Sequence, residues 1–278
     1  MIKRSITGFI LAVVLLTLII VQGWPLRVAM AVFMALSIWE VYGAFKHKGV
    51  NPARWVGMTY AALALPVYWF LGVAALWPLM AILCMLGFAV MVFRGEVDFT
   101  ASIATVFPIL YPGMMFTMLF PIQDIAVPAE AILAFLLTFG IALSCDTAAY
   151  TIGVKFGKRQ LSPHISSKKT VEGGVAGLIA AVLFAILAAY LVEVCTTHIP
   201  ALQPFHVALP PLWHFAILGL FGGVAAQVGD LTASMVKRYC GIKDFGSILP
   251  GHGGMMDRID GVLFNAVVVF VYFMVVTR

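Results

Sequence analysis

Two carboxylates near the C-terminus of the sequence lie beside residues suited to binding phosphate. Asp257 and Asp260 are three residues apart, so they share one face of a helix. Carboxylate oxygens are preferred ligands of hard divalent cations, although such a cluster is also compatible with a structural network of ion pairs. Pro250 and the glycines around it predict a turn whose backbone can approach a ligand closely. A helix that begins near Met255 would direct its N-terminal amides towards an anion.

A polar stripe precedes this segment. Gln227, Asp230, Ser234 and Lys237 are spaced by three, four and three residues, which places them on one face of a helix. The stripe runs from a carboxylate inside an apolar segment to two adjacent cations, Lys237 and Arg238. A polar packing seam between helices is the alternative. The two cations at the end of the stripe favour a functional role.

A second basic segment follows another carboxylate, Asp146, which lies near the end of an apolar helix. The segment contains cations and hydroxyl groups in close succession: Lys155, Lys158, Arg159, Ser162, Ser166, Ser167, Lys168 and Lys169. Such residues are suited to binding a phosphate group. Cations near a bilayer also bind anionic lipid headgroups, so the segment alone does not distinguish a substrate site from a lipid contact.

The elements that position these residues are membrane helices. The chain has 278 residues, of which 63% are hydrophobic and 10% charged, and its mean hydropathy is +1.05. Soluble domains carry roughly 25% charged residues, so this composition excludes soluble enzymes, nucleic-acid binders and secreted disulfide scaffolds. We predict an all-α, polytopic integral membrane protein with about nine spans, at residues 6–22, 25–45, 55–72, 74–93, 101–121, 128–152, 172–195, 211–237 and 260–276.

The distribution of positive charge predicts the orientation. With the N-terminus in the cytoplasm, all of the 17 lysines and arginines except Arg27 and Arg278 lie on the cytoplasmic side, as the positive-inside rule requires. The C-terminus is then outside. Residues 1–122 form a set of apolar helices of about five spans. We expect residues 123–278 to carry the candidate functional residues, with cytoplasmic loops at 153–171 and 238–259.

Two segments resemble the phosphatidate cytidylyltransferases, also called CDP-diacylglycerol synthases. The longer one reads Ser234-x-x-Lys237-Arg238-x4-Lys243-Asp244-x-Gly246, then Leu249-Pro250-x-His252-Gly253-Gly254-x-x-Asp257-Arg258-x-Asp260. The earlier one covers Asp146-Thr-Ala-Ala-Tyr150, Lys168-Lys169-Thr170 and Glu172-Gly173. Ser167 departs from the proline that this family has before its lysine pair. The N-terminal helices match the family only in their apolar character.

The resemblance implies a reaction and its components. The family converts CTP and phosphatidic acid to CDP-diacylglycerol and pyrophosphate, with Mg²⁺ or another divalent cation, as a step of phospholipid biosynthesis. A phosphatidate oxygen attacks the α-phosphorus of CTP and pyrophosphate leaves. We therefore expect CTP, phosphatidic acid and the bilayer as partners, without nucleic acid, and a homodimer would suit the family. The expected location is the inner (plasma) membrane, with the site facing the cytoplasm.

The resemblance also suggests roles for individual residues. Metal ligands would be Asp230 and Asp257, together with Asp146 or Asp260. Catalytic charge would come from the carboxylates Asp230 and Asp257 and from the cations Lys237 and Arg238. Substrate-binding residues would be Ser166, Lys168, Lys169, Lys243, His252 and Arg258. For His252, two roles stay open, contact with the triphosphate or fixing of the glycine turn.

Two other functions compete with this interpretation. A CTP-dependent kinase for polyprenols or other lipids needs CTP and metal in a similar way, but it would release CDP rather than pyrophosphate. An ion-coupled transporter would also explain acidic residues at membrane depth. It predicts internal repeats and a site near the midplane, whereas the charges here gather at one rim.

Overall fold

Long apolar helices make up most of the chain. The computed structural model describes residues 13–95, 98–200, 202–203, 206, 208–248 and 253–276. A helix satisfies its backbone amides within its own segment, which a lipid environment requires. The helices are α1 (13–21), α2 (Gly23–His47), α3 (Arg54–Leu71), α4 (Leu76–Phe93), α5 (Phe99–Pro108), α6 (Met115–Thr117), α7 (Leu119–Gln123), α8 (Pro128–Phe156), α9 (Val171–His198), α10 (Leu212–Tyr239) and α11 (Met256–Val276).

Among the residues that the structure describes, seven helical segments are long and apolar enough to cross a membrane. They are Gly23–His47, Val73–Phe93, Phe99–Gln123, Pro128–Phe156, Val171–His198, Leu212–Tyr239 and Met256–Val275. Each corresponds to a predicted span, so the all-α membrane fold is confirmed. Helix α3 also forms where a span is predicted, but it is not among these seven. The predicted span 6–22 falls largely outside the described residues, and the total of nine stays a prediction.

Two of the seven segments contain irregular turns. A 3₁₀ turn, Val73–Ala75, leads into α4. A π-helical turn, Ile109–Met114, follows α5 and contains the non-helical residue Tyr111, with φ −135° and ψ 108°. Irregular backbone at membrane depth is tolerated where the surrounding protein covers it. The buried side chain of Tyr111 fits that condition.

A small antiparallel hairpin replaces part of the predicted loop 153–171. Strand β1 is Gln160–Ser162 and strand β2 is Ser166–Thr170. Gln160 pairs with Thr170, and Ser162 pairs with Ser166. The sequence prediction missed these strands because serine and lysine dominate them and no apolar alternation marks them. They lie directly before α9 and give the basic segment a defined backbone.

The described residues form two compact units. The first comprises residues up to Pro121 together with Val236–Ile259. Its helices approach closely around the Tyr42 hydroxyl, which donates a hydrogen bond of 2.7 Å to the carbonyl oxygen of Thr105 and accepts one of 3.1 Å from the Gly57 amide. A side chain at position 57 would overlap the Tyr42 ring. Only glycine therefore permits this packing.

The second unit comprises Ile122–Met235 and the residues from Asp260 onwards. A Cβ atom at Gly177 would lie 2.8 Å from the Cys145 carbonyl oxygen, so α9 and α8 are in close contact there. Asn265 on α11 donates from Nδ2 to the carbonyl oxygens of Leu137 and Thr138 on α8, at 3.0 and 2.8 Å. Small residues and interhelical hydrogen bonds are the usual means of helix association in membranes.

Candidate active site

A buried ion pair links the end of α10 to the start of α11 in the first unit. Lys237 lies in the last turn of α10, and its Nζ donates a hydrogen bond of 2.8 Å to Oδ1 of Asp257 in the first turn of α11. The two side chains are 12% and 4% exposed. Because water barely reaches this pair, each charge depends on the other for compensation.

The second carboxylate oxygen of Asp257 anchors the loop between these helices. Oδ2 accepts hydrogen bonds from the backbone amides of Phe245, at 2.8 Å, and Gly254, at 3.0 Å. The Lys237 ammonium also lies 5.4 Å from the centroid of the Phe245 ring, which favours a cation–π interaction. Asp257 thus accepts three hydrogen bonds, and its charge fixes the geometry of the loop.

Glu40 contacts the same loop from α2. Its carboxylate is buried, and it accepts hydrogen bonds from the amides of Met255, at 3.0 Å, and Met256, at 2.8 Å. We expected these N-terminal amides of α11 to meet an anion. In the structure, that anion is a carboxylate of the protein itself. Its negative charge also interacts favourably with the positive end of the helix dipole.

Other predicted residues of this segment lie at the surface. The Arg238 side chain is exposed and donates from Nη1 to the carbonyl oxygen of Ile242 at 3.3 Å. Lys243 and Arg258 are also exposed. His252 lies outside the described residues.

A second ion pair joins the hairpin to α10 in the second unit. Lys169 on β2 forms a salt bridge with Oδ2 of Asp230, and the two side chains are 27% and 24% exposed. The Asp146 carboxylate on α8 is close enough to be repelled by Asp230 and attracted by Lys169. Asp146 is exposed, and it accepts no hydrogen bond from the described residues. The Lys169 ammonium therefore attracts two carboxylates, those of Asp230 and Asp146.

The hairpin explains why two neighbouring lysines have different environments. Successive side chains of a strand point to opposite faces, so Lys168 is exposed while Lys169 reaches Asp230. Ser166 lies on the same strand and is half-buried. At the base of the hairpin, Oε2 of Glu172 accepts hydrogen bonds from the amides of Lys158, at 3.0 Å, and Arg159, at 3.2 Å.

The remaining predicted metal ligand is Asp260 on α11. Asp260 is buried, and its Oδ1 accepts a hydrogen bond of 2.8 Å from the Gly261 amide. Within the part of the chain that the structure describes, no group of three or more His, Cys, Asp or Glu residues could hold a metal ion. Asp146 and Asp230 are nevertheless a pair of interacting carboxylates with oxygen atoms left for a cation. Mg²⁺ commonly takes only one or two protein carboxylates, with water and substrate phosphates as its other ligands.

The similarity to known proteins extends over nearly the whole chain. The model of the cytidylyltransferase family matches residues 2–276. The chain belongs to this family. The phosphatidate cytidylyltransferase of Bacillus subtilis (strain 168) is 30% identical over 283 residues, which cover 98% of this chain and 96% of that protein. That of Synechocystis sp. is 38% identical over 146 residues, which cover 52% of this chain and 44% of that protein.

As a member of the cytidylyltransferase family, the chain is a multi-pass membrane nucleotidyltransferase. Two residues to which the sequence prediction gave no role in the site, Glu40 and Glu172, become functional candidates through their contacts in the structure. Glu40 is a carboxylate inside an apolar helix, where an ionisable residue is a functional candidate by default. That signal was visible in the sequence, but we could not distinguish it from polar helix packing without knowing its partners.

Proposed function

We propose that this membrane enzyme transfers the cytidylyl group of CTP to phosphatidate. A phosphate oxygen of phosphatidate forms a bond to the α-phosphorus of CTP, and the bond from that phosphorus to the bridging oxygen breaks. The products are CDP-diacylglycerol and pyrophosphate. The observation that carries this proposal is the match to the Bacillus subtilis phosphatidate cytidylyltransferase along almost the full length of both chains.

The charges of the described residues support such a transfer. Both substrates are anions, so catalysis depends on positioning and on charge neutralisation. Lys168, Lys243 and Arg258 are exposed, and we propose that they bind the phosphates together with Arg238. Ser166 would add a hydroxyl donor beside Lys168. His252 would either contact the triphosphate or fix the glycine turn.

The lysines of the two ion pairs, Lys237 and Lys169, neutralise carboxylates of the protein. Lys237 compensates the charge of Asp257 and orders the loop, while Lys169 compensates Asp230. We propose that substrate phosphates compete with Asp257 for the Lys237 ammonium and with Asp230 for the Lys169 ammonium. No side chain has to act as a covalent nucleophile, because the phosphate of phosphatidate is already ionised.

The cofactor that suits this chemistry is Mg²⁺ or another divalent cation. Asp146 and Asp230 would hold it, since their mutual repulsion is relieved by a cation between them. A divalent ion supplies charge neutralisation at the reacting phosphate oxygens. Asp257 was also predicted as a ligand, but its two oxygens already accept three hydrogen bonds. We therefore assign the metal to Asp146 and Asp230 first.

A labelling experiment tests the proposed reaction. Purified protein, Mg²⁺ and phosphatidate in mixed micelles are incubated with CTP labelled at either the α- or the γ-phosphate. We expect α-label in the lipid phase, dependent on phosphatidate and accompanied by equimolar pyrophosphate. Transfer of γ-label with release of CDP would instead establish a lipid kinase. The absence of transfer by folded protein that binds CTP would contradict both, and ion flux in vesicles would then test transport.

We also propose that the protein lies in the plasma membrane with its site facing the cytoplasm, which is the side from which CTP arrives. The distribution of lysine and arginine supports this orientation. A reporter fused after Arg278 should therefore report an outside location, and a cytoplasmic signal would contradict the odd number of spans. A homodimer is a further proposal, which the mass of the detergent-solubilised particle tests.

A further inference from the structure

We propose that Glu40 is a positioning residue of the reaction, which orients from helix α2 the described residues of the loop between α10 and α11, 240–248 and 253–255. The inference rests on the proposed function. It concerns a residue outside the two segments that carry the family motifs. Glu40 is separated from Met255 by 215 positions in the sequence. All of the contacts that support the inference lie within the first unit.

The first argument is that both carboxylate oxygens of the buried Glu40 side chain accept hydrogen bonds. The Glu40 side chain is 4% exposed, and its two oxygens accept from two successive amides, those of Met255 and Met256. Both methionines are buried, so water cannot replace the carboxylate as their hydrogen-bond acceptor. Loss of Glu40 would leave two buried donors without partners, which costs far more than loss of an exposed hydrogen bond.

The second argument is the fit of the loop around this carboxylate. A Cβ atom at Gly246 would lie 2.5 Å from Oε1 of Glu40, and one at Gly254 would lie 2.5 Å from both oxygens. Two glycines of the motif therefore allow the backbone to approach Glu40. This supplies a physical reason for glycine at these positions that does not require a bound ligand.

The third argument is the link from Glu40 to Asp257. The amides that Glu40 binds directly precede Asp257, and the Gly254 amide donates to Asp257 itself. The position of the Asp257 carboxylate, and hence of the Lys237 ammonium, depends on this single turn of backbone. Small displacements of this kind reduce catalysis strongly, because the reacting groups must be aligned.

Helix α2 contacts the other end of the loop as well. Lys48 directly follows the last residue of α2, eight positions after Glu40. Its Nζ donates a hydrogen bond of 2.7 Å to the carbonyl oxygen of Tyr239 at the end of α10. The ring of Phe45 lies 6.5 Å from that of Tyr239. Helix α2 and the residue that follows it therefore contact both the segment that enters the loop and the one that leaves it.

The test compares Glu40→Gln and Glu40→Ala with the control Ser37→Ala. Ser37 is buried on the same helix, and its hydroxyl donates only locally, to the Phe33 carbonyl oxygen at 2.7 Å. We expect kcat to fall roughly 10- to 100-fold in Glu40→Ala, less in Glu40→Gln, which retains one carbonyl acceptor, and not in Ser37→Ala. The KM for CTP should change by less than about twofold, because Glu40 acts through the loop and not on the substrate.

A second readout is hydrogen–deuterium exchange of peptides that cover residues 253–258. The Glu40 variants should exchange faster there, and Ser37→Ala should not. Wild-type kcat in Glu40→Gln and Glu40→Ala would overturn the proposal while leaving the proposed function intact. Unchanged exchange in both would also overturn it. If the wild-type protein itself transferred no cytidylyl group, the proposed function would be wrong. Failure of the proposed function is therefore seen in the wild-type protein, whereas failure of the Glu40 proposal is seen only in the variants.

Discussion

Lys237 and Asp257, which lie on different helices, form an ion pair with 2.8 Å between Nζ and Oδ1. The pair is nearly inaccessible to water, and the second oxygen of Asp257 binds two backbone amides of the connecting loop. The lysine therefore has a structural partner in addition to any phosphate that it contacts. This double role changes what a substitution at either position should do.

We expect Lys237→Met to reduce both activity and stability. Removal of the ammonium leaves the Asp257 carboxylate buried without its counter-charge, which costs about 3 kcal/mol for pairs of this kind. The double variant Lys237→Met/Asp257→Asn removes both charges and should recover most of the lost stability. It should stay inactive, because the reaction still lacks both groups. Thermal unfolding in detergent and the labelled-CTP assay measure the two quantities separately.

The control for this experiment is Lys243→Met, which removes an exposed cation of the same loop. Its melting temperature should equal that of the wild-type protein. If Lys237→Met melted at the wild-type temperature, the pair would contribute nothing to stability. If the double variant regained turnover, Lys237 and Asp257 would have no role in the chemistry.

The helices could be predicted from the sequence, whereas the contacts among the candidate site residues could not. The spacing of Gln227, Asp230 and Lys237 reports a helix face directly, because it depends only on the helical period. The salt bridge from Lys169 to Asp230 joins residues 61 positions apart. No local pattern encodes such a contact, since it arises when the hairpin and α10 pack in three dimensions.

The contacts of Glu40 also could not be predicted from the sequence. A carboxylate in an apolar helix indicates that the residue has a partner. Here the partners are two backbone amides, which cannot be identified from the amino-acid sequence. We expected an anion at these amides because helix N-termini bind anions. The physical rule held, and the anion proved to be part of the protein.

The glycine that contacts Glu40 supplies the next prediction. We expect Gly254→Ala to abolish most of the activity, because its Cβ would lie 2.5 Å from both Glu40 oxygens and would displace either the carboxylate or the loop. The fall in turnover should be roughly 10- to 100-fold. The matched control is Gly43→Ala on α2, where a Cβ would meet nothing within 4 Å. Equal turnover of the two variants would show that this close approach is unimportant.

Removal of the Asp146 charge should abolish metal binding without lowering the stability of the fold. Asp146 and Asp230 repel each other, so Asp146→Asn should raise, or at least preserve, the melting temperature without metal. Added Mg²⁺ should raise the melting temperature of the wild-type protein, as any ligand of the folded state does. This increase should disappear in Asp146→Asn, and turnover should fall by roughly 100-fold or more.

Glu130→Gln is the control for the metal experiment, because Glu130 is a carboxylate at the other end of the same helix. It should retain the Mg²⁺-dependent increase in melting temperature. If Asp146→Asn kept the increase as well, the cation would bind elsewhere, and Asp257 and Asp260 would be the next ligands to test.

The base of the hairpin supplies the last prediction. Glu172 accepts hydrogen bonds from the amides of Lys158 and Arg159, and this contact closes the hairpin that carries Lys168 and Lys169. We expect Glu172→Ala to loosen the hairpin and so to raise the KM for CTP with little change in overall stability. Trypsin, which cleaves after lysine and arginine, should cut residues 155–169 faster in this variant.

Bound CTP should slow that cleavage in the wild-type protein, since the ligand would occupy the same lysines, and the slowing should be weaker in Glu172→Ala. Glu193→Ala provides the comparison, because it removes a carboxylate near the far end of α9 and leaves the hairpin contacts in place. An equal rate of cleavage in the two variants would mean that the paired strands alone keep the hairpin closed. An unchanged KM despite faster cleavage would place CTP away from the hairpin, and Lys168 would then be a lipid contact.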